Sequence, residues 1–101
     1  MTIFLAADHG GFELKKKLKV YLMGKGHAVV DCGNTAQDPD DDYPDFVLPG
    51  AQNVAGTKGS RGIFICRSGV GASIVANRIR GVLAVLTSDS AIVEMSRVHE
   101  D

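Results

Sequence analysis

Apolar residues recur along this chain in two spacings, and the spacing switches wherever glycine, proline or aspartate gathers. Thr2–Ala7 (Thr-Ile-Phe-Leu-Ala-Ala) is a short apolar run of the kind that fills a buried strand. Asp8-His9-Gly10-Gly11 breaks it. Leu14, Leu18, Tyr21 and Leu22 then recur at i, i+4, i+7 and i+8, the stripe of an amphipathic helix, and Gly24-Lys25-Gly26 stops it. Ala28–Asp31 predicts a second strand. Residues 33–45 hold five aspartates, two prolines and no apolar periodicity, the composition of a surface loop. Asp45 can cap a helix reaching about Ala55, in which Pro49-Gly50 predicts a kink or a late start. Residues 62–65 predict strand three, residues 69–78 helix three, and residues 82–86 strand four. Ser88 or Asp89 can cap a last helix, with Ile92 and Met95 facing inward and its end near Val98.

Strands and helices alternating at this length predict an α/β fold. It is a parallel sheet of about four strands flanked by helices in three layers, with right-handed β-α-β crossovers. One domain covers 1–101, with no repeat, linker or low-complexity tract. In such sheets ligands lie beyond the carboxyl ends of the strands. Asp8-His9, Cys66 to Gly71 and Thr87-Ser88 all fall there.

Composition narrows the class. A formal net charge of −1 leaves no electrostatic footprint for nucleic acid or an anionic membrane. Lysines 15, 16, 17 and 19 read as the solvated face of the first helix. No apolar run approaches the ~20 residues of a membrane span, and the N-terminus reaches Asp8 too early for a signal peptide. Cys32 and Cys66 form no C-x-x-C pair, and no Cys/His spacing fits a zinc site. Both thiols are expected reduced, in a cytoplasmic setting.

The densest chemistry is Cys66-Arg67-Ser68-Gly69-Val70-Gly71, between strand three and helix three. Small residues let the main chain approach a ligand, and a helix N-terminus offers N–H groups to an anion. The same terminus favours a thiolate, as a cysteine acting as base or nucleophile requires. A packed strand-end thiol is the plain alternative for Cys66, but packing alone needs neither two glycines nor a hydroxyl behind it. Asp8 can cap the next helix or serve a ligand, and His9, ahead of two glycines, is placed to meet an anion. On local pattern alone His99 is a solvated residue near the C-terminus, and Cys32 and His27 are structural or incidental. Several motifs are excluded. Position 72 is Ala72, so the Cys-x5-Arg of cysteine phosphatases is absent. No Walker A loop occurs, Gly69-Val70-Gly71 lacks a third dinucleotide glycine, and Cys66 stands where a receiver domain needs aspartate.

Together these segments resemble the ribose-5-phosphate isomerase B family, which includes the galactose-6-phosphate isomerase subunits. The matching pieces are Asp8-His9-Gly10-Gly11-Phe12-Glu13-Leu14-Lys15, Asp31-Cys32-Gly33 and Asp42-Tyr43-Pro44-Asp45. The strongest match runs from Gly62-Ile63-Phe64-Ile65-Cys66 through Ser68-Gly69-Val70-Gly71 to Ser73-Ile74-Val75-Ala76-Asn77, and His99-Glu100-Asp101 resembles the family's His-Asn-Asp. The resemblance implies a Rossmann-like, cytoplasmic, metal-independent aldose–ketose isomerase of a sugar phosphate, with no cofactor, working as a homodimer or larger homo-oligomer. It implies Cys66 as the base moving a proton between C1 and C2 through an enediolate. Ser68 and His99 would assist ring opening, and Asp8 and His9 would bind substrate. N–H groups from Arg67, Ser68, Gly69, Val70 and Gly71 would hold the enediolate oxygen. In some relatives a glutamate takes the cysteine's role; its place here is Ala72, which leaves Cys66.

Three departures accompany the resemblance. The family usually continues well past the length of this chain, into a strand and helix whose arginines bind phosphate. Arg67 replaces a glycine, which costs about 1 kcal/mol if the position needs positive φ; its guanidinium is placed to meet substrate charge. Glu100 replaces asparagine and brings a negative charge to the substrate-binding set. The rival reading from these departures is a catalytically silent sugar-phosphate binder or a subunit of a larger complex.

Overall fold

The buried run at the N-terminus is buried because it lies in the middle of a sheet. The computed structural model describes residues 1–36 and 38–99, with the main chain alone for Ser96, Val98 and His99. Strand β1 (Thr2–Ala7) is flanked on both sides by parallel partners, β2 (Ala28–Asp31) and β3 (Arg61–Ile65), in the order β2-β1-β3. Thr2 pairs with Ala28 and Leu5 with Asp31, while Ile3 pairs with Arg61 and Ala7 with Ile65. All residues of β1 from Ile3 to Ala7 are buried, whereas β2, at an edge, alternates between exposed and half-buried positions.

The chain leaves β1 for β2 on one side, then crosses back over β1 to β3 on the other. With crossovers of one hand, opposite directions of travel put the two connecting helices on opposite faces. Helix α1 (Phe12–Gly24) accordingly packs on β1 and β2, and α2 (Pro44–Gly56) on β1, β3 and α3 (Val70–Asn77). The three expected layers are present. Val47 and Ala51 of α2 meet Ala72 and Ala76 of α3 in a core joined by Tyr43, Phe64 and Cys66. Strand order reverses between β1 and β3, so a ligand crevice belongs at their carboxyl ends.

Several details depart from the sequence expectation. The sheet has three strands among the described residues, not about four. Residues 82–86 do not pair with β3, because the Asn77 amide takes both main-chain groups of Ala84: its Oδ1 accepts the N–H at 2.8 Å and its Nδ2 donates to the carbonyl at 2.9 Å. A groove of about 920 Å3 is lined by this segment and β3, with Gly69 also on its wall. The buried face of α1 is Phe12 and Lys15, while Leu14 and Tyr21 of the expected stripe are exposed. Lys15 therefore leaves the expected solvated face. Helix α2 neither starts late nor breaks at Pro49: Pro44 occupies its first position, where no N–H is needed, and Val47, Gly50 and Ala51 anchor it to the core. Tyr43, not Asp45, is its N-cap residue. The last helix, α4 (Ser90–His99), is capped as expected by Asp89, whose Oδ1 accepts the Ala91 N–H at 2.8 Å. Ile92 and Met95 are exposed rather than inward, because α4 packs broadly on no other element. No helix of the described residues is long and apolar enough to cross a membrane.

Candidate active site

The loop after β3 is shaped by its own main chain. Gly69, the N-cap residue of α3, has φ +81°, and a Cβ there would stand 2.3 Å from Leu86 Cδ1. Left-handed backbone and close approach together demand glycine. This turn aims the Gly69 N–H at Cys66 Sγ, 3.2 Å away, while the Val70 N–H donates to Ser68 Oγ at 3.2 Å. Two of the five amides expected to cradle an oxyanion are thus spent on site side chains in this state. Gly71 faces the Tyr43 ring so closely that a Cβ would lie 2.4 Å from Cζ. Cys66 is half-buried against the α2/α3 core, and Ser68 and Arg67 are exposed. No described non-glycine residue has positive φ, so Arg67 carries none of the strain expected for a glycine replacement.

The loop after β1 lies against it. A Cβ on Gly10 would stand 3.4 Å from the Arg67 main-chain nitrogen. Asp8 is buried and its Oδ1 accepts the Gly10 N–H at 2.9 Å, closing a local turn. It is not the cap of α1, a position held by Gly11 with no side-chain bond.

His9 is held from elsewhere. Its main-chain N–H and its ring Nδ1 both hydrogen-bond Asp41 Oδ1, at 2.9 and 2.8 Å. Asn34 Nδ2 reaches Asp41 Oδ2 at 3.4 Å. The hydrogen bond to Asp41 raises the His9 pKa above its ordinary value, helped by the Asp8 and Asp41 charges and opposed by desolvation and Arg67. Burial pushes the Asp41 carboxyl up, but the hydrogen bonds from His9 and Asn34 leave it below the usual carboxylate range. Behind this pair the buried Lys15 ammonium donates to Asp31 Oδ1 at 2.8 Å and to the Asn34 carbonyl, and Asp31 Oδ1 also accepts the Gly33 N–H at 2.9 Å. The Cys32 thiol is pushed up by burial and receives the Asn53 amide, as a structural residue does.

Asp8, His9, Cys66, Arg67, Ser68, Gly69, Val70 and Gly71 therefore converge at the β1/β3 switch point. The main chain of His99 ends α4; its side chain and all of Glu100 lie outside the described residues. Sequence reasoning missed Asp41, Asn34, Lys15 and Tyr43. Tyr43 had a signal, the Asp42-Tyr43-Pro44-Asp45 stretch, whereas Asp41 is one aspartate among five. Ligand atoms of Asp8, His9 and Asp41 lie within 4.8 Å of one another, a spacing a cation could use. The facing atoms of His9 and Asp41 are engaged with each other and Asp8 Oδ1 with Gly10, so the trio reads as a hydrogen-bonded cluster.

The sequence pattern of the ribose/galactose isomerase family matches residues 3–101. The chain belongs to that family. It is 41% identical over 99 residues to a probable ribose-5-phosphate isomerase B of Mycoplasma pneumoniae, covering 98% of this chain and 65% of that protein. It is 37% identical over 101 residues to ribose-5-phosphate isomerase B of Mycobacterium tuberculosis, covering 100% and 62%. The crystal structure of the Mycoplasma genitalium ribose-5-phosphate isomerase B with bound ribulose 5-phosphate superposes with a TM-score of 0.91 at 40% identity, over 98% of this chain and 66% of that one. The chain spans 62–65% of the length of these two curated relatives. The Rossmann-like α/β architecture is shared with that crystal structure.

Proposed function

We propose that this chain is an aldose–ketose isomerase of a sugar phosphate, of the ribose 5-phosphate/ribulose 5-phosphate type, with Cys66 as the base. Family membership supports the reaction class, and one observation carries the assignment of the base: Cys66 Sγ sits at the switch point, 3.2 Å from the N–H of Gly69, the N-cap residue of α3. In the reaction the Cys66 thiolate takes the C2 proton of the open-chain aldose, and the electron pair moves to the carbonyl to give an enediolate. The O2 hydroxyl proton passes to O1, and returning the C2 proton to C1 then yields the ketose, so the base is regenerated and no electron leaves the substrate. Amides at the N-terminus of α3 stabilise the developing oxyanion. That role requires the Gly69 and Val70 N–H groups to exchange their present partners, Cys66 and Ser68, for substrate oxygen. Ser68 and His99 assist ring opening, while Asp8, His9 and Arg67 hold the substrate.

Self-association is part of the proposal. Leu83, Val85, Leu86, Ile92 and Met95 are exposed within one stretch of chain, and apolar side chains left exposed together favour association. Ribose 5-phosphate turnover, followed over a range of protein concentration, tests both parts. We expect Cys66→Ala to lower kcat by about 10²–10⁴-fold, the range of general base catalysis. Binding of ribose 5-phosphate with no turnover in the native chain would instead favour the silent-binder reading.

A further inference from the structure

One of the five aspartates in residues 33–45 is unlike the rest. The Asp41 side chain is 5% exposed, while Asp38, Asp40, Asp42 and Asp45 are exposed. It enters the site from the β2–α2 connection, 32 residues along the chain from His9. A carboxylate only accepts, so the shared Oδ1 makes both His9 nitrogens donors, the main-chain N–H at 2.9 Å and ring Nδ1 at 2.8 Å. Two bonds to one atom fix the imidazole relative to its own peptide, and Asn34 fixes the carboxylate in turn.

We propose that Asp41 is a positioning residue for anion capture by His9: it turns Nδ1 toward itself and directs the opposite ring edge, Nε2, to a phosphate group. The proposal rests on the sugar-phosphate reading above and adds the residue that prepares its anion site. Three charged groups face the ring: Asp8 from the same loop, Asp41 from the β2–α2 connection and Arg67 from the β3–α3 loop. The Asp41 hydrogen bond, with the two carboxylate charges, outweighs desolvation and the guanidinium, so the imidazole is held in its cationic form to higher pH than usual. An imidazolium makes a charge-assisted bond to phosphate, which a neutral ring does not. The carboxylates would repel an anion if bare. Asp41 is nearly covered and Asp8 buried, which leaves the half-buried His9 and the exposed Arg67 as the cationic groups that an anion meets there.

The test is Asp41→Asn in the 101-residue chain, which keeps an acceptor for the His9 main-chain N–H but removes the charge. The His9 ring is titrated by NMR, KM and kcat for ribose 5-phosphate are followed from about pH 5.5 to 8.5, and inorganic phosphate binding is measured directly. The expected result is a lower His9 midpoint and a KM about tenfold higher at neutral pH, the loss of one charge-assisted hydrogen bond, with kcat within about twofold. The pH at which KM climbs moves down with the His9 midpoint. Asp41→Glu, which restores the charge, recovers most of the lost affinity, and Asp38→Asn changes neither quantity. Unchanged KM and midpoint, a loss confined to kcat, or equal loss in the Asn and Glu variants overturns the proposal. If the native chain turns over no sugar phosphate, the isomerase reading fails alone: phosphate affinity and His9 midpoint falling together in Asp41→Asn still uphold the role of Asp41, and either one staying put overturns it.

Discussion

The loop after β3 and the loop after β1 lie side by side, yet they are held by different means. Around Cys66 the hydrogen bonds run between neighbours, Gly69 N–H to Cys66 and Val70 N–H to Ser68, and glycine backbone supplies the shape. Around His9 they run across the fold. Asp41 grips His9, Asn34 supports Asp41, and the Asn34 carbonyl is bonded by Lys15 on α1. A site half can therefore be prepared locally, by turns that need little from the rest of the protein. It can also be prepared by a relay of polar groups, which holds only while three separate segments are docked.

The comparison breaks most readily at Lys15. Its ammonium is 1% exposed and paired with Asp31. Lys15→Met leaves the Asp31 carboxylate and the Asn34 carbonyl without that donor, and we expect a loss of about 3 kcal/mol in urea unfolding. The His9 side of the site should loosen while Cys66 keeps its contact. Stability within about 0.5 kcal/mol of wild type would mean the relay is not what holds the β1 loop. Gly71→Ala probes the other half. A methyl 2.4 Å from the Tyr43 ring overpacks the start of α3, and about 2 kcal/mol of destabilisation should follow, with reduced turnover. A native urea midpoint would show that Tyr43 yields freely and that the local half is less rigid than drawn.

The smallest effect is one of pH. The folded pKa of His9 is raised, so its contribution is complete below the ordinary value of 6.5 and is lost as pH rises through the folded value. The folded pKa of Asp41 is lowered, so its contribution is complete above 3.8 and is lost as pH falls through the folded value. Both are intact between pH 3.8 and 6.5. Melting temperature should therefore decline slightly from pH 6 to pH 8.5, and this slope should flatten in Asp41→Asn and at high salt, since the ring is one-third exposed. An identical slope in the variant would remove the pair as its source.

Legibility followed the range of the interactions. Thr2–Ala7 was readable as a buried strand because a strand with partners on both edges and helices on both faces must be apolar throughout. Cys66 to Gly71 was readable because the turn, the cap and the amides are all set within one short stretch. Residues 82–86 misled: their apolar pattern suits a strand, but Asn77 holds Ala84 away from β3. Lys15 misled for a related reason. A lysine among lysines is usually solvated, and Asp31 at the end of β2, with the Asn34 carbonyl, makes burial tolerable.

By itself, then, the sequence determined the alternation of strand and helix, the parallel sheet and the cysteine loop at its carboxyl end. Each depends on periodicity or turn chemistry that a few adjacent residues carry. Tertiary structure alone decided which of five aspartates meets His9, which lysine goes inside, and that residues 82–86 stay off the sheet. Those outcomes are competitions between distant partners for the same hydrogen-bonding groups, and a linear pattern holds no record of who wins.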